Sequence, residues 1–253
     1  MHDRRKDILD ILCEKGRASV SEISRALYVS EMTIRRDLKE MENDGIIKRY
    51  RGGAVFCGVG SNSGISQRFF IDEGEKKILS KKATSYLHDD MTVYIDSSST
   101  CQYIIPHIAF FKNITIVTNS LNAVKIASKL HIPCFLIGGK YYERDMCFIG
   151  SVAENYAAQF NVDIAFFSLM GISEDGIISD NDIEQVAIRK IIMKNSKKNI
   201  FLFENNKLNK KYFYTLCKKD DVDAVITISW KYEICFAHKS QKADFIGGIG
   251  QSV

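Results

Sequence analysis

Residues 30–54 read SEMTIRRDLKEMENDGIIKRYRGGA, a basic helix followed by two short strands around a glycine turn. Ser30 is placed to cap the helix, with Thr33 at its third position. Ile34, Leu38 and Met41 recur at i, i+4 and i+7, which makes one apolar stripe. At about 100° per residue, Met32, Arg35, Arg36 and Lys39 fall on the outer side. A helix with one buried stripe and an outward Arg-Arg pair suits a DNA major groove, where guanidinium groups fork onto guanine edges or phosphates. Taken alone, such a pair is more often a solvated charged face, so the flanking sequence decides.

Upstream, Arg4 to Lys15 has helical periodicity, with Ile8, Leu9, Ile11 and Leu12 on a broad apolar face and Gly16 as its stop. Ser19 followed by Glu22 is a capping-box pattern and predicts a short helix from about Ser21 to Leu27. Tyr28-Val29-Ser30 then leaves only a tight connection to the basic helix, the plan of a helix-turn-helix. Downstream, IIKRYRGGAVF predicts strand, turn at Gly52-Gly53, and strand, a hairpin wing. Its Lys48, Arg49 and Arg51 would face backbone phosphates. The candidate DNA contacts are therefore Ser30, Met32, Thr33, Arg35, Arg36, Lys39, Lys48, Arg49 and Arg51. Asp37, Glu40, Glu42 and Asp44 are interleaved with these cations. One such head should bind double-stranded operator DNA weakly, so tight binding calls for a homo-oligomer, a dimer or tetramer.

The chain has 253 residues, 45% apolar and 26% charged, with a net charge of +4, the composition of a globular protein with one large or two ordinary domains. Seven scattered cysteines with no CxxC pair indicate neither a disulfide framework nor a zinc site. The five histidines form no ligand-spaced cluster, and no metal or cofactor is expected. The N-terminus lacks a signal-peptide core, and no run approaches the roughly 20 apolar residues of a membrane span. These features predict a cytoplasmic protein without a membrane partner.

The expected divisions are a DNA-binding head at 1–56, a Gly/Ser-rich flexible linker at 57–66, and a second domain at 67–253. In the second domain, strand-like runs at 91–96, 113–118, 132–139, 162–171, 199–204 and 223–229 alternate with helical segments, including 100–108, 122–129 and 183–194. Strands apolar on both faces, alternating with helices, predict an α/β fold with a mostly parallel sheet. Small polar residues follow successive strands: Asp96, Ser97, Ser98, Ser99 and Thr100; Asn119 and Ser120; Gly138 and Gly139; Gly171; and the run Glu204 to Lys207. Any one of these is an ordinary turn. Five at the carboxyl edge of one sheet point to a ligand site, with Lys207 as a cation and the SSST hydroxyls as anion ligands.

The segment VSEMTIRRDLKEMENDGIIKRYRGGAV resembles the winged helix-turn-helix of the DeoR family of bacterial transcriptional regulators. DSSST, VTNSL, the glycine pair 138–139, Phe148-Ile149-Gly150, Asp163 and ENNK resemble that family's effector domain, similar in fold to ribose-5-phosphate isomerase. The resemblance implies a winged helix-turn-helix head, a phosphorylated sugar as effector, and repression of a sugar-metabolism operon. It adds Glu184 and Arg189 to the effector candidates. Three positions depart from the family pattern: Ser98 replaces a glycine, Arg189 a lysine, and ENNK replaces DxSK. A sugar-phosphate isomerase with an attached helical domain is the competing reading, with Asp96, Asp163, Glu184 and Lys207 as acid–base candidates.

Overall fold

A computed structural model describes residues 4–15, 17–43, 47–56, 65–69 and 71–228. The chain divides into two compact units, Met1–Ile71 and Asp72–Val253. Gly16, Asp44, Gly45 and residues 57–64 of the expected linker lie outside the described residues, as does the tail from 229.

The first unit contains α1 (Arg4–Lys15), β1 (Arg17–Ser19), α2 (Val20–Leu27), α3 (Glu31–Asn43), β2 (Ile47–Tyr50), β3 (Gly53–Phe56) and α4 (Ile65–Arg68). Ile8, Leu9, Leu12, Ile23, Ile34, Leu38 and Met41 form its core. The Ser19 capping box is present: its hydroxyl accepts from the Glu22 amide, and the Glu22 carboxylate accepts from the Ser19 amide. Ser30 accepts from the Thr33 amide at 3.2 Å and so caps α3.

Two details differ from the sequence expectation. Tyr50 pairs with Gly53, so the hairpin turn is Arg51-Gly52 rather than Gly52-Gly53. Gly52 takes the left-handed φ of 101° that this turn needs, whereas Gly53 is already strand. The second difference is β1, which gives a sheet in the order β1-β3-β2. A Cβ on Gly53 would lie 2.3 Å from the Ala18 carbonyl oxygen, so the glycine is what lets β1 approach. Three residues between two helices carry no alternation by which β1 could be recognised.

The second unit continues with α5 (Glu73–Ala83), β4 (Thr92–Ile95), α6 (Ser99–Gln102), α7 (Ile105–Ile108), β5 (Thr115–Thr118), α8 (Leu121–Lys129), β6 (Cys134–Leu136), β7 (Lys140–Tyr142), β8 (Cys147–Ile149), α9 (Ser151–Ala157), β9 (Ile164–Phe167), β10 (Gly171–Ile172), β11 (Ile177–Asp180), α10 (Ile183–Lys194), β12 (Asn199–Leu202), β13 (Tyr214–Lys218) and β14 (Ala224–Ile226). Six of these strands form one parallel sheet in the order β14-β12-β9-β4-β5-β6. Successive side chains alternate between its faces: Ile164 and Phe166 join one buried cluster, Ala165 and Phe167 the other. This double burial explains why the strands read as continuous apolar runs.

The sequence predicts one helix from Thr100 to Ile108, but α6 and α7 are separate. Pro106 stands in the first turn of α7 and has no N–H to donate back to Gln102, so a continuous helix is broken there. An antiparallel sheet β10-β11-β13 and the hairpin β7–β8 complete the unit. Among the described residues no helix is long and apolar enough to cross a membrane.

Candidate DNA interface and sensor site

In the head, α3 turns Ile34, Leu38 and Met41 inward, while Met32, Arg35, Arg36 and Lys39 are exposed. The acids interleaved with these cations are largely engaged within the head. Asp37 is buried and accepts from Arg4, Glu40 pairs with Arg5, and Glu42 accepts from both the backbone and side chain of Arg49. Hydrogen bonds from Arg49 hold the Glu42 carboxyl below the usual range. Arg35 pairs with Glu31 at 3.0 Å. Among the described residues, none of Arg36, Lys39, Lys48 and Arg51 forms a salt bridge, and all are exposed. The mixed charge seen in the sequence thus resolves into internal pairs plus four outward cations on the helix and wing. Thr33 is half-buried beside its Ser30 cap.

In the second unit the carboxyl ends of β4, β5, β9 and β12 bring together most of the expected residues. Asp96, at the end of β4, accepts from Arg189 Nε at 2.9 Å and Nη2 at 3.3 Å. Arg189 Nη1 donates to Asp180 at 2.9 Å. All three side chains are at most 7% exposed. Burial alone would lower the Arg189 pKa, but Asp96 and Asp180 raise it above the ordinary arginine value. The arginine that replaces the family's lysine is therefore clamped between two carboxylates.

A second cluster forms around Glu204. Thr100 Oγ1 donates to it at 2.7 Å, Lys207 Nζ lies 2.8 Å away, and Lys76 Nζ lies 3.7 Å away. Burial would raise the Glu204 pKa, yet Lys207 and Lys76 overcome this and hold it at about 2. Lys207 also donates to Ser168 at 2.8 Å and to Thr100 at 3.3 Å. Hydrogen bonds then run outward from the DSSST loop. Ser97 donates to Gln185, Gln185 to Asp145, and Gln102 to both Ser120 and the Ser97 carbonyl. Ser98 caps α6, its hydroxyl accepting from the Cys101 amide, and its own amide donates to Asp96. Ser99 is buried in the first turn of α6. Tyr94 donates to Asn119, which donates to the Phe148 carbonyl.

Other candidates have different surroundings. Glu184 is turned to the surface and pairs with Lys140 at 3.0 Å, while its neighbour Gln185 enters the network. A Cβ on Gly139 would lie 2.8 Å from the Ala153 side chain, and one on Gly171 would lie 2.7 Å from the Lys210 carbonyl oxygen, so both serve close packing. Gly138 stands open. Asp163 belongs to the amino edge of the sheet, where it accepts from the Thr92 amide at the start of β4 and from Lys197. The four acid–base candidates of the isomerase reading therefore do not converge on one point. Burial pushes the thiols of Cys147 and Cys217 up to about 12, which removes them as nucleophiles at neutral pH.

Asp180, Gln185, Asp145, Gln102, Ser168 and Lys76 are network members that the sequence reading missed. A sequence signal exists only near the first pair: Asp182 caps α10 by accepting from the Gln185 amide, and Asp180 stands two residues before that cap.

Residues 4–58 match the DeoR-like helix-turn-helix domain, and residues 71–228 match the DeoR C terminal sensor domain. The chain is 29% identical to the lactose phosphotransferase system repressor of Staphylococcus epidermidis, across 89% of this chain and 91% of that protein. It is 32% identical to the HTH-type transcriptional repressor GlcR of Bacillus subtilis, across 87% and 85%. Ribose 5-phosphate isomerase A of Methanocaldococcus jannaschii is a partial structural neighbour, 18% identical at TM-score 0.41 over 54% of this chain and 55% of that one. With both of its parts matched by one family, the chain belongs to the DeoR family of DNA-binding transcriptional regulators.

Proposed function

We propose that this protein represses a carbohydrate-utilisation operon and releases its operator when a phosphorylated sugar binds the second unit. The observation that carries this reading is the cluster of hydroxyls and cations at the carboxyl edge of the parallel sheet, on a chain with a winged-helix head. Ligands of open α/β sheets sit at that edge. Arg36 and Lys39 on α3 would enter the major groove, while Lys48 and Arg51 on the wing would neutralise phosphates. Lys207, only 21% exposed and bonded to Ser168 and Thr100, would meet the phosphate among the hydroxyls of Ser97 to Thr100. Arg189 would instead shape the site, because its side chain is only 5% exposed and lies between Asp96 and Asp180. A homo-oligomer joined through the second units, with the segment 57–66 as tether, would present two or more heads to one operator. The protein would act in the cytoplasm, without catalysis.

Effector binding can release DNA only if it favours an arrangement of heads with lower affinity. The test is fluorescence anisotropy of labelled DNA from upstream of the protein's own gene, repeated with a panel of sugar phosphates. The expected result is tight, salt-dependent binding weakened at least tenfold by one phosphorylated sugar, with that response lost in Lys207→Ala. Equal affinity for random duplex would sink the repressor reading. A panel without effect on either affinity or melting temperature would sink the effector reading.

A further inference from the structure

We propose that Tyr28, in the turn between α2 and α3, is a DNA-backbone contact that helps the head seat its recognition helix. Tyr28 is 95% exposed, and Met32, at the second position of α3, is 81% exposed. Single apolar side chains on a surface need no explanation, but here two large ones stand exposed within five residues of sequence, one on each side of the Ser30 cap. Met32 lies on the same face of α3 as Arg35, Arg36 and Lys39, at spacings of three, four and seven residues. Met32 therefore shares the face of the outward cations, Tyr28 stands two residues before the cap of that same helix, and DNA is the occupant this end of the helix fits.

The backbone at Tyr28 supplies the second observation. Its φ of 56° and ψ of 38° place it in the left-handed region, where it ends α2 and donates its amide to the Ser24 carbonyl. That position favours glycine or asparagine, and an aromatic side chain there is strained. A residue so exposed contributes little packing to offset the strain, so the fold alone gives no reason for tyrosine. A duplex does. The ring can lie against a deoxyribose while the hydroxyl donates to a phosphate oxygen at the edge of the groove. Such a contact positions the helix without reading sequence.

The experiment uses the full chain, with a duplex that the parent protein enriches from a random-sequence pool. Tyr28→Asn suits the left-handed backbone, so the head's melting temperature should stay the same or rise. Affinity should fall about tenfold, the size of one lost side-chain contact, and equally for the enriched and a random duplex. Unchanged affinity overturns the proposal. A loss confined to the enriched duplex overturns the backbone assignment, and a loss accompanied by a lower melting temperature shows that Tyr28 holds the head together instead. Failure of the parent to enrich any duplex is a different result and defeats the DNA-binding reading on which the proposal rests.

Discussion

In the head, Arg5 meets Glu40 with side chains 39% and 45% exposed; in the second unit, Arg189 meets Asp96 with side chains 5% and 1% exposed. Both are arginine–carboxylate contacts, but they serve different ends. A pair in water is screened and loses side-chain entropy when it forms, so it adds little stability. Its consequence in the head is electrostatic housekeeping: the acids of α3 are neutralised from α1 and β2, and the cations that remain face outward. A pair out of water cannot be broken cheaply, because each member left behind is a buried charge. The Asp96–Arg189–Asp180 triad therefore fixes the geometry of the sheet's carboxyl edge, tying the end of β4 to the end of β11 through α10.

This contrast can be broken at three points. Arg189→Leu leaves two buried carboxylates facing each other. It should destabilise the second unit by about 3–5 kcal/mol, read as an earlier melting transition while the head's transition stays in place. A change below about 1 kcal/mol would mean that the triad behaves like a surface pair.

Acid supplies a second, smaller effect. The folded pKa of Glu204 is depressed to about 2, whereas an unfolded glutamate titrates near 4.5. Its stabilisation is thus fully present above about pH 4.5 and fades as pH falls toward about 2, with a loss on the order of 3 kcal/mol. Denaturant titrations of the parent and of Glu204→Gln should differ in slope and approach each other as pH falls through that window, the variant being flatter. Parallel curves would show that Lys207 and Lys76 do not hold the charge.

The smallest effect belongs to the head. Glu40→Gln should change its stability by less than about 1 kcal/mol, measured by the same denaturant series. A larger loss would place the Arg5–Glu40 pair in the class of Arg189.

How far each region was legible in the sequence follows the same contrast. The Ser19 capping box, the Ser30 cap, the stripe of Ile34, Leu38 and Met41, and the helix Ile183–Lys194 were readable because each is written over a few residues of one element. The Arg51-Gly52 turn was misplaced by one residue because two adjacent glycines both permit a turn, and only the pairing of Gly53 with β2 and β1 shows which is strand. At the carboxyl edge of the parallel sheet, the polar loops after the strands were visible, but their partners were not. Gln185 and Glu184 are neighbours of similar polarity, and the sequence favours neither; the orientation of α10 turns one into the network and the other to Lys140.

The sequence by itself determined the class of the protein: a basic helix with its caps and wing, and an alternation of doubly apolar strands with helices. These are local periodicities, set by side-chain sterics and burial within one element. Tertiary structure alone decided which charges remain available. Arg189 reaches Asp96 across 93 residues of chain, and Thr100 reaches Glu204 across 104. The order β12-β9-β4-β5 makes those distant loops neighbours. Likewise the acids of α3 look like a liability for DNA binding until Arg4, Arg5 and Arg49 are folded against them. Coulomb interactions depend on separation in space, and the chain fixes that separation only when its core has closed.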